Sequence, residues 1–405
     1  MESVMQKILD WMGRGFTGGQ LQFVAPDGKS WTLGRGSPQA RILLRDAATL
    51  RHILLNPALY LGETYVDGRW QPESGDLDAV LEVGTRYTQY YEDHHRGSWT
   101  GKALALLGEL NNATLSRRNV AHHYDLDESL YRSFLDADMQ YSCAYFAEGV
   151  RTLEQAQQAK CELIARKLDL RPGAQVLDIG CGWGGLALYL ARTRRVQVTG
   201  ITLSEGQLAV AQRRLAASGL SKQVQFRLED YRDTSGQYDA IVSVGMFEHV
   251  GRPQYPTFFE AVSRLLKQDG VALLHTIGRL SPPGVTNPWI RKYIFPGGYI
   301  PAASELFTAV EGSGLKHNDF ECWRLHYAKT LVEWQRRFAA ARSQIQNRMG
   351  ERFCRMWEFY LKASEASFRW GNLAVFHTQL SHRIDRVPLT RDYLYRDAVG
   401  HAKAA

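Results

Sequence analysis

An α/β protein built on a doubly wound parallel sheet, preceded by a small α+β unit, is what this sequence predicts, and three observations carry the expectation. From Gln175 onward, strand and helix patterns alternate, the order that lays strands parallel in one sheet with helices on both faces. The run Val176-Leu177-Asp178-Ile179-Gly180-Cys181-Gly182-Trp183-Gly184-Gly185 reads as a buried strand, a glycine turn and a helix start. The first hundred residues show no such alternation and are punctuated by Gly68, Pro72 and Gly75.

Taken in order, Leu21–Val24 and Ser30–Leu33 flank an Asp27-Gly28 turn and predict a hairpin. Arg41–Leu44 reads as a third strand, Ala47–Leu55 as an amphipathic helix stopped at Pro57, and Asp76–Tyr91 as a helix after a loop. Residues 1–100 are thus expected to form an amino-terminal lipid-handling or dimerisation module, 101–125 a helical linker, and 126–405 the main domain. In that domain strands are expected at 175–179, 196–201, 224–228, 238–244 and 270–277, and helices at 184–192, 205–218 and 254–267. A helix at 302–312 and strands near 315–324 and 373–383 complete the pattern. The aromatic-rich helical stretch at about 328–372 reads as an inserted lid over an apolar substrate.

Composition narrows the function classes. No apolar run approaches the roughly 18 to 20 residues that span a bilayer, and Met1–Gly19 lacks the features of a signal peptide, so a cytoplasmic protein is expected. The five cysteines are odd in number and widely spaced with no C-x-x-C pair, which indicates neither a disulfide framework nor a metal site. Of the net charge of +7, residues 332–405 contribute thirteen basic against seven acidic side chains, interleaved with Trp334, Phe338, Phe353, Trp357, Phe359, Phe368 and Trp370. That mixture suits an anionic membrane surface. A solvated helical face over an aromatic core has the same composition.

Glycines at 180, 182 and 184 let the backbone turn with no Cβ in the way, so a ligand can lie against main-chain N–H groups. Asp178, two residues ahead, fits the D-x-G-x-G-x-G pattern of S-adenosylmethionine sites better than the G-x-G-x-x-G dinucleotide fingerprint. Its carboxylate would accept from the ligand's ammonium, directly or through water. The second strand ends in Gly200-Ile201-Thr202 with no acidic residue for ribose hydroxyls.

Five further segments fall near the ligand side of the sheet: Gln140–Tyr145, Ile201–Ser204, Gly245–His249, Leu274–Gly278 and His326–Ala328. With the glycine loop, Glu229–Asp233 and Tyr293–Pro296, they make the chain from Asn119 to about Arg383 closely resemble the cyclopropane-fatty-acyl-phospholipid synthase family, which is related to the mycolic acid cyclopropane synthases. The resemblance implies a class I, Rossmann-like methyltransferase domain. It also implies methylene transfer from S-adenosylmethionine to a cis double bond of a phospholipid acyl chain, with bound bicarbonate as the base. An alkene is a poor nucleophile, so methyl and π bond must be held in line and water excluded. By motif the family's bicarbonate ligands fall on Cys143 and Ile277 through backbone N–H groups, and on the side chains of Glu248, His275 and Tyr327. Cofactor contacts fall on Tyr141, Ser142, Gly180, Gly182, Thr202, Gln207, Asp230 and Tyr231, with Asp230 toward adenine's amine. The implied partners are a phospholipid bilayer at the inner membrane face and a second copy of the chain, with no nucleic acid and no metal.

Each residue has a plainer reading. Cys143 packs equally well as a small core thiol, Glu248-His249 as a surface pair, His275 as a core histidine, and Asp178 as a turn cap. Where some relatives carry cysteine in a Tyr-Leu-x-x-Cys stretch, this chain has Ser364, and Cys354 ten residues earlier is not equivalent. Two rival functions stay open: a methyltransferase leaving a branch or methylene group instead of a ring, and a non-catalytic lipid-binding protein.

Overall fold

The computed structural model describes residues 2–94 and 128–395, and the chain divides into two units. The linker expected at 101–125 lies outside the described residues.

One unit gathers the described part of Met1–Leu106 with Val285–Pro296 and Ala328–Leu373. Its sheet has the order β2-β1-β3-β4, formed by β1 (Gly19–Val24), β2 (Ser30–Arg35), β3 (Gln39–Leu44) and β4 (Trp70–Pro72). β1 and β2 are the expected hairpin, turned at Gly28 with φ +82°, while β3 runs parallel to β1. Alternation decides which face is buried: Leu21, Phe23, Trp31, Leu33, Ile42 and Leu44 all point inward. Asp46 caps the helix Ala47–Leu55 by accepting from the Thr49 N–H at 2.8 Å. Pro57 does end that helix, but it also opens the next, Pro57–Val66, because proline lacks only an N–H that a first helical residue leaves unpaired anyway.

The helical stretch read in sequence as a lid clusters with this amino-terminal unit. Arg355, on the helix Glu351–Arg369, donates to the Tyr65 carbonyl at 2.8 Å and lies 4.0 Å above the Tyr65 ring. Lys362 pairs with Asp76 at 2.9 Å and Asp78 at 2.5 Å. A Cβ on Gly62 would come within 2.6 Å of Trp289 and 2.8 Å of Phe359, so the helix Pro57–Val66 sits closer to its neighbours than alanine permits. Trp334, Phe338, Trp357, Phe359 and Phe368 are all buried. The aromatic content of residues 332–370 is mostly core, and the membrane argument keeps only its charge.

The second unit carries seven strands in the order β10-β11-β9-β8-β5-β6-β7. They are β5 (Gln175–Ile179), β6 (Gln197–Thr202), β7 (Val224–Leu228), β8 (Tyr238–Val244), β9 (Leu266–Arg279), β10 (Lys316–Trp323) and β11 (Leu373–Ser381), whose first residue belongs to the other unit. β5 through β9 pair in parallel and β10 with β11 antiparallel. The chain winds from β5 outward through β6 and β7, then returns to the other side of β5 with β8 and β9. That reversal leaves a crevice at the carboxyl ends of β5 and β8, where open α/β sheets bind ligands. One core layer packs Phe258, Phe259, Val262, Leu306 and Val310 on one face of the sheet, and the other packs Ile164, Ala187, Leu190 and Ala211 on the opposite face.

Candidate active site

At the switch point, Asp178 is the penultimate residue of the buried run that ends β5, and Gly180 and Gly182 follow with φ +80° and +54°. These angles favour glycine, and a Cβ on Gly180 would lie 2.6 Å from the Met246 side chain. Tyr141, Ser142, Asp178, Gly180, Gly182, Thr202, Gln207, Asp230 and Tyr231 all line one cavity here. Met246, Trp183, Arg232 and His249 line it too, although none of them was assigned a cofactor contact from the sequence.

Asp178 is 2% exposed, its Oδ2 has no hydrogen-bond partner, and burial pushes its carboxyl up to about 7. An orphaned buried carboxylate oxygen is costly unless a ligand or water supplies a donor. The Thr202 hydroxyl donates to Gln207 Oε1 at 3.0 Å, which leaves the amide NH₂ as the donor end of that pair. Asp230 is less available than its sequence suggested: Arg232 holds both carboxylate oxygens at 2.9 and 2.6 Å. An adenine amine would share that carboxylate with a guanidinium.

Behind the cavity stands a residue the sequence reading missed. Lys160, fully buried on the helix Leu153–Lys167, donates to Gln140 Oε1 at 2.6 Å and Ser142 Oγ at 2.9 Å. Gln157, one turn earlier, donates to the Gln140 and Ser142 carbonyls at 3.1 and 3.0 Å. Together they fix the loop that carries Tyr141, Ser142 and Cys143. Burial lowers the Lys160 pKa, opposed by nearby acidic groups that include Asp136 and Asp178. The available signal was two long polar residues three apart on a helix face that otherwise buries Leu153, Ala156, Leu163 and Ile164.

A second cluster forms beside the first, at the ends of β8 and β9. Glu248, in the short turn Phe247–His249, accepts from the Ile277 N–H at 2.6 Å through Oε1, while Oε2 is buried without a partner. Burial pushes this carboxyl up to about 7, against hydrogen bonds from Ile277 and Thr276 that pull it down. The Ile277 amide, expected to face an anion, is thus engaged by Glu248. His275 lies two residues earlier on the same side of β9, with Nδ1 2.6 Å from Nε2 of His377 on β11. Trp323 stacks on His377 at 3.8 Å and meets His275 edge-on at 5.4 Å. Tyr145 packs against Trp323 and stacks on His326, whose Nδ1 accepts from the Phe146 N–H at 3.0 Å. Through these rings the loop bearing Cys143 and the segment bearing Tyr327 meet the end of β9. Cys143 is fully buried and Tyr327 is 9% exposed. Cys354 lies in the other unit, buried, with its thiol pushed up by burial, the opposite of an activated nucleophile. All five cysteines are free, and among the described residues no cluster of histidine, cysteine and carboxylate side chains could hold a metal ion.

A parallel sheet with its glycine turn, orphaned aspartate and cavity at the strand reversal defines a class I methyltransferase fold. Solved structures agree: the mycolic acid cyclopropane synthase CmaA1, complexed with SAH and CTAB, superposes with TM-score 0.62 at 34% identity over 67% of this chain and 99% of its own. MmaA2 of Mycobacterium tuberculosis gives 0.63 at 33% identity with the same coverage. The mycolic acid cyclopropane synthetase family model matches residues 111–378. The cyclopropane-fatty-acyl-phospholipid synthase of Escherichia coli K12 is 40% identical over 355 residues, 86% of this chain and 90% of its own. The tuberculostearic acid methyltransferase UfaA1 of M. tuberculosis H37Rv is 35% identical over 387 residues, 89% and 87% of the two chains. The chain belongs to the cyclopropane synthetase family and is an enzyme of that kind.

Proposed function

We propose that the protein transfers a methylene group from S-adenosylmethionine to the cis double bond of an unsaturated phospholipid acyl chain and closes a cyclopropane ring, with bicarbonate as the base. The observation that carries the reading is the pair of buried carboxylates, Asp178 and Glu248, each with one oxygen unpartnered. Such oxygens suit ligands that bring their own donors. When bound, S-adenosylmethionine supplies an electrophilic methyl group. Asp178 would accept from its ammonium, Gly180 and Gly182 would let it approach the backbone, and Thr202 with Gln207 would hold the ribose in place of the absent acid. Lys160 and Gln157 hold the Gln140–Ser142 wall in position.

Bicarbonate fits Glu248 because an ionised Oε2 can accept the anion's hydroxyl proton and so orient a carbonate-like oxygen outward. His275, Tyr327 and the Cys143 backbone N–H would donate to the remaining oxygens. The engaged Ile277 amide supports a different role for that residue, orienting Glu248 rather than touching the anion. The ring faces of Tyr145 and Tyr327 would attract a developing cation without capturing it. Membrane contact and self-association would place the enzyme at its lipid substrate.

Mass spectrometry of phospholipid acyl chains after incubation with methyl-labelled cofactor tests the reading. A gain of one labelled CH₂ with the double bond consumed and no branched isomer on chromatography supports it. A methyl branch or an exocyclic methylene would move the protein to the tuberculostearic type of chemistry, and unlabelled chains would leave only lipid binding.

A further inference from the structure

His275 and His377 are both fully buried, 102 residues apart in sequence and joined by a 2.6 Å contact between His275 Nδ1 and His377 Nε2. Burial keeps both rings neutral, and the positive charges of Lys160 and Lys167 act in the same direction. One hydrogen therefore lies between the two nitrogens, and it can belong to either ring. If His275 carried it on Nδ1, His377 would have a bare Nε2 and its own hydrogen on Nδ1. That Nδ1 is buried with no hydrogen-bond partner, so the arrangement would strand an N–H donor. If His377 carries the hydrogen on Nε2, its Nδ1 is only an unused acceptor. Orphaned buried N–H groups are the rarer of the two defects in folded proteins. The second arrangement also leaves His275 with its hydrogen on Nε2.

We infer that His377 is a positioning residue: its Nε2–H donates to His275 Nδ1, fixes His275 as the Nε2–H tautomer, and so gives the active site a neutral imidazole donor for a bound oxyanion. The last clause rests on the reading of His275 as an anion ligand; the tautomer does not. A neutral donor suits an anion that must keep its basicity, since an imidazolium at the same place would neutralise it or hand it a proton. Trp323, stacked on His377 and edge-on to His275, keeps the two rings in register. Tautomer choice by the partner of the second ring nitrogen is the usual logic of functional histidines.

The test has two arms on the full-length protein. In the first, two-bond ¹H–¹⁵N correlations of ¹⁵N-histidine-labelled wild type at pH 7.5, assigned with His275→Gln and His377→Gln, should show both rings as Nε2–H, with the Nδ1 of His275 shifted as a hydrogen-bonded acceptor. An Nδ1–H signature on His275, or an imidazolium, overturns the inference. In the second, turnover is measured against bicarbonate concentration. His377→Leu should lose roughly ten- to a hundredfold in bicarbonate-dependent turnover, with cofactor affinity unchanged. His377→Gln, whose amide nitrogen can donate from nearly the same place, should recover most of it. Wild-type turnover in His377→Leu overturns the positioning role. If wild-type turnover ignores bicarbonate while His275 is Nε2–H, the oxyanion reading fails alone and the tautomer assignment stands.

Discussion

Raising the pH from 6 to 8 should raise turnover at saturating cofactor by about tenfold. Glu248 is held at about 7 by burial, so roughly 10% of it is ionised at pH 6 and roughly 90% at pH 8. On the proposed reading, only the ionised form leaves Oε2 as a pure acceptor for the hydroxyl of bicarbonate. Asp178 sits at about 7 as well, but the positive charge of bound S-adenosylmethionine favours its ionised form. Its titration should therefore appear in the cofactor Kd and drop out of kcat. The assay is kcat across pH 5.5 to 8.5, with the bicarbonate ion, rather than total carbonate, held at a fixed saturating concentration. Glu248→Gln should keep cofactor affinity, lose about 10²- to 10³-fold in kcat and flatten the remaining profile. A wild-type kcat flat between pH 6 and 8, or a Glu248→Gln enzyme that keeps the acid limb, would refute the assignment.

Asp178→Asn should stabilise the ligand-free protein at pH 8 by up to a few kcal/mol, because it removes a carboxylate whose ionisation burial opposes. The sign follows from the raised pKa. Stability from this group is fully present below the unfolded carboxyl value of 3.8 and is lost as pH rises through about 7, so the variant's gain in Tm should shrink toward pH 4. Isothermal titration should show the same variant binding cofactor at least tenfold more weakly. Gly62→Ala should cost about 1 to 3 kcal/mol, read as a lower urea midpoint, because its Cβ would press on Trp289 and Phe359. Cofactor Kd should not move in that variant. Sedimentation with liposomes should show tighter binding to anionic than to zwitterionic vesicles, weakened by salt, since the carboxyl-terminal stretch keeps its excess of basic residues even though most of its aromatics are buried.

Local chemistry made much of the fold legible. The strands at 175–179, 224–228 and 238–244 and the helix at 205–218 coincide with their expected bounds, because period-2 and period-3.6 patterns and an Ser204 cap are written within a few residues of each element. Elements whose reason for existing lies elsewhere in the chain were less visible. β4 is three residues long and is a strand only because β3 offers it an edge. The same division runs through the site. Asp178 and the glycines announce themselves because a turn's backbone demands them, whereas Lys160 reads as an ordinary helical lysine until Gln140 and Ser142 are folded onto it.

His377 is the extreme case. On its own strand it shares a face with the buried Val375 and Gln379, in a run that is buried throughout, and carries no motif. Its meaning comes from one nitrogen of His275, brought within 2.6 Å because β11 enters the sheet beside β9. Had β11 been absent, β9 would be the sheet's edge strand and water could satisfy His275 Nδ1 in either tautomer, so no donor would be fixed. A strand out of chain order thus does more than widen the sheet, since it converts an ambivalent imidazole into one with a defined proton.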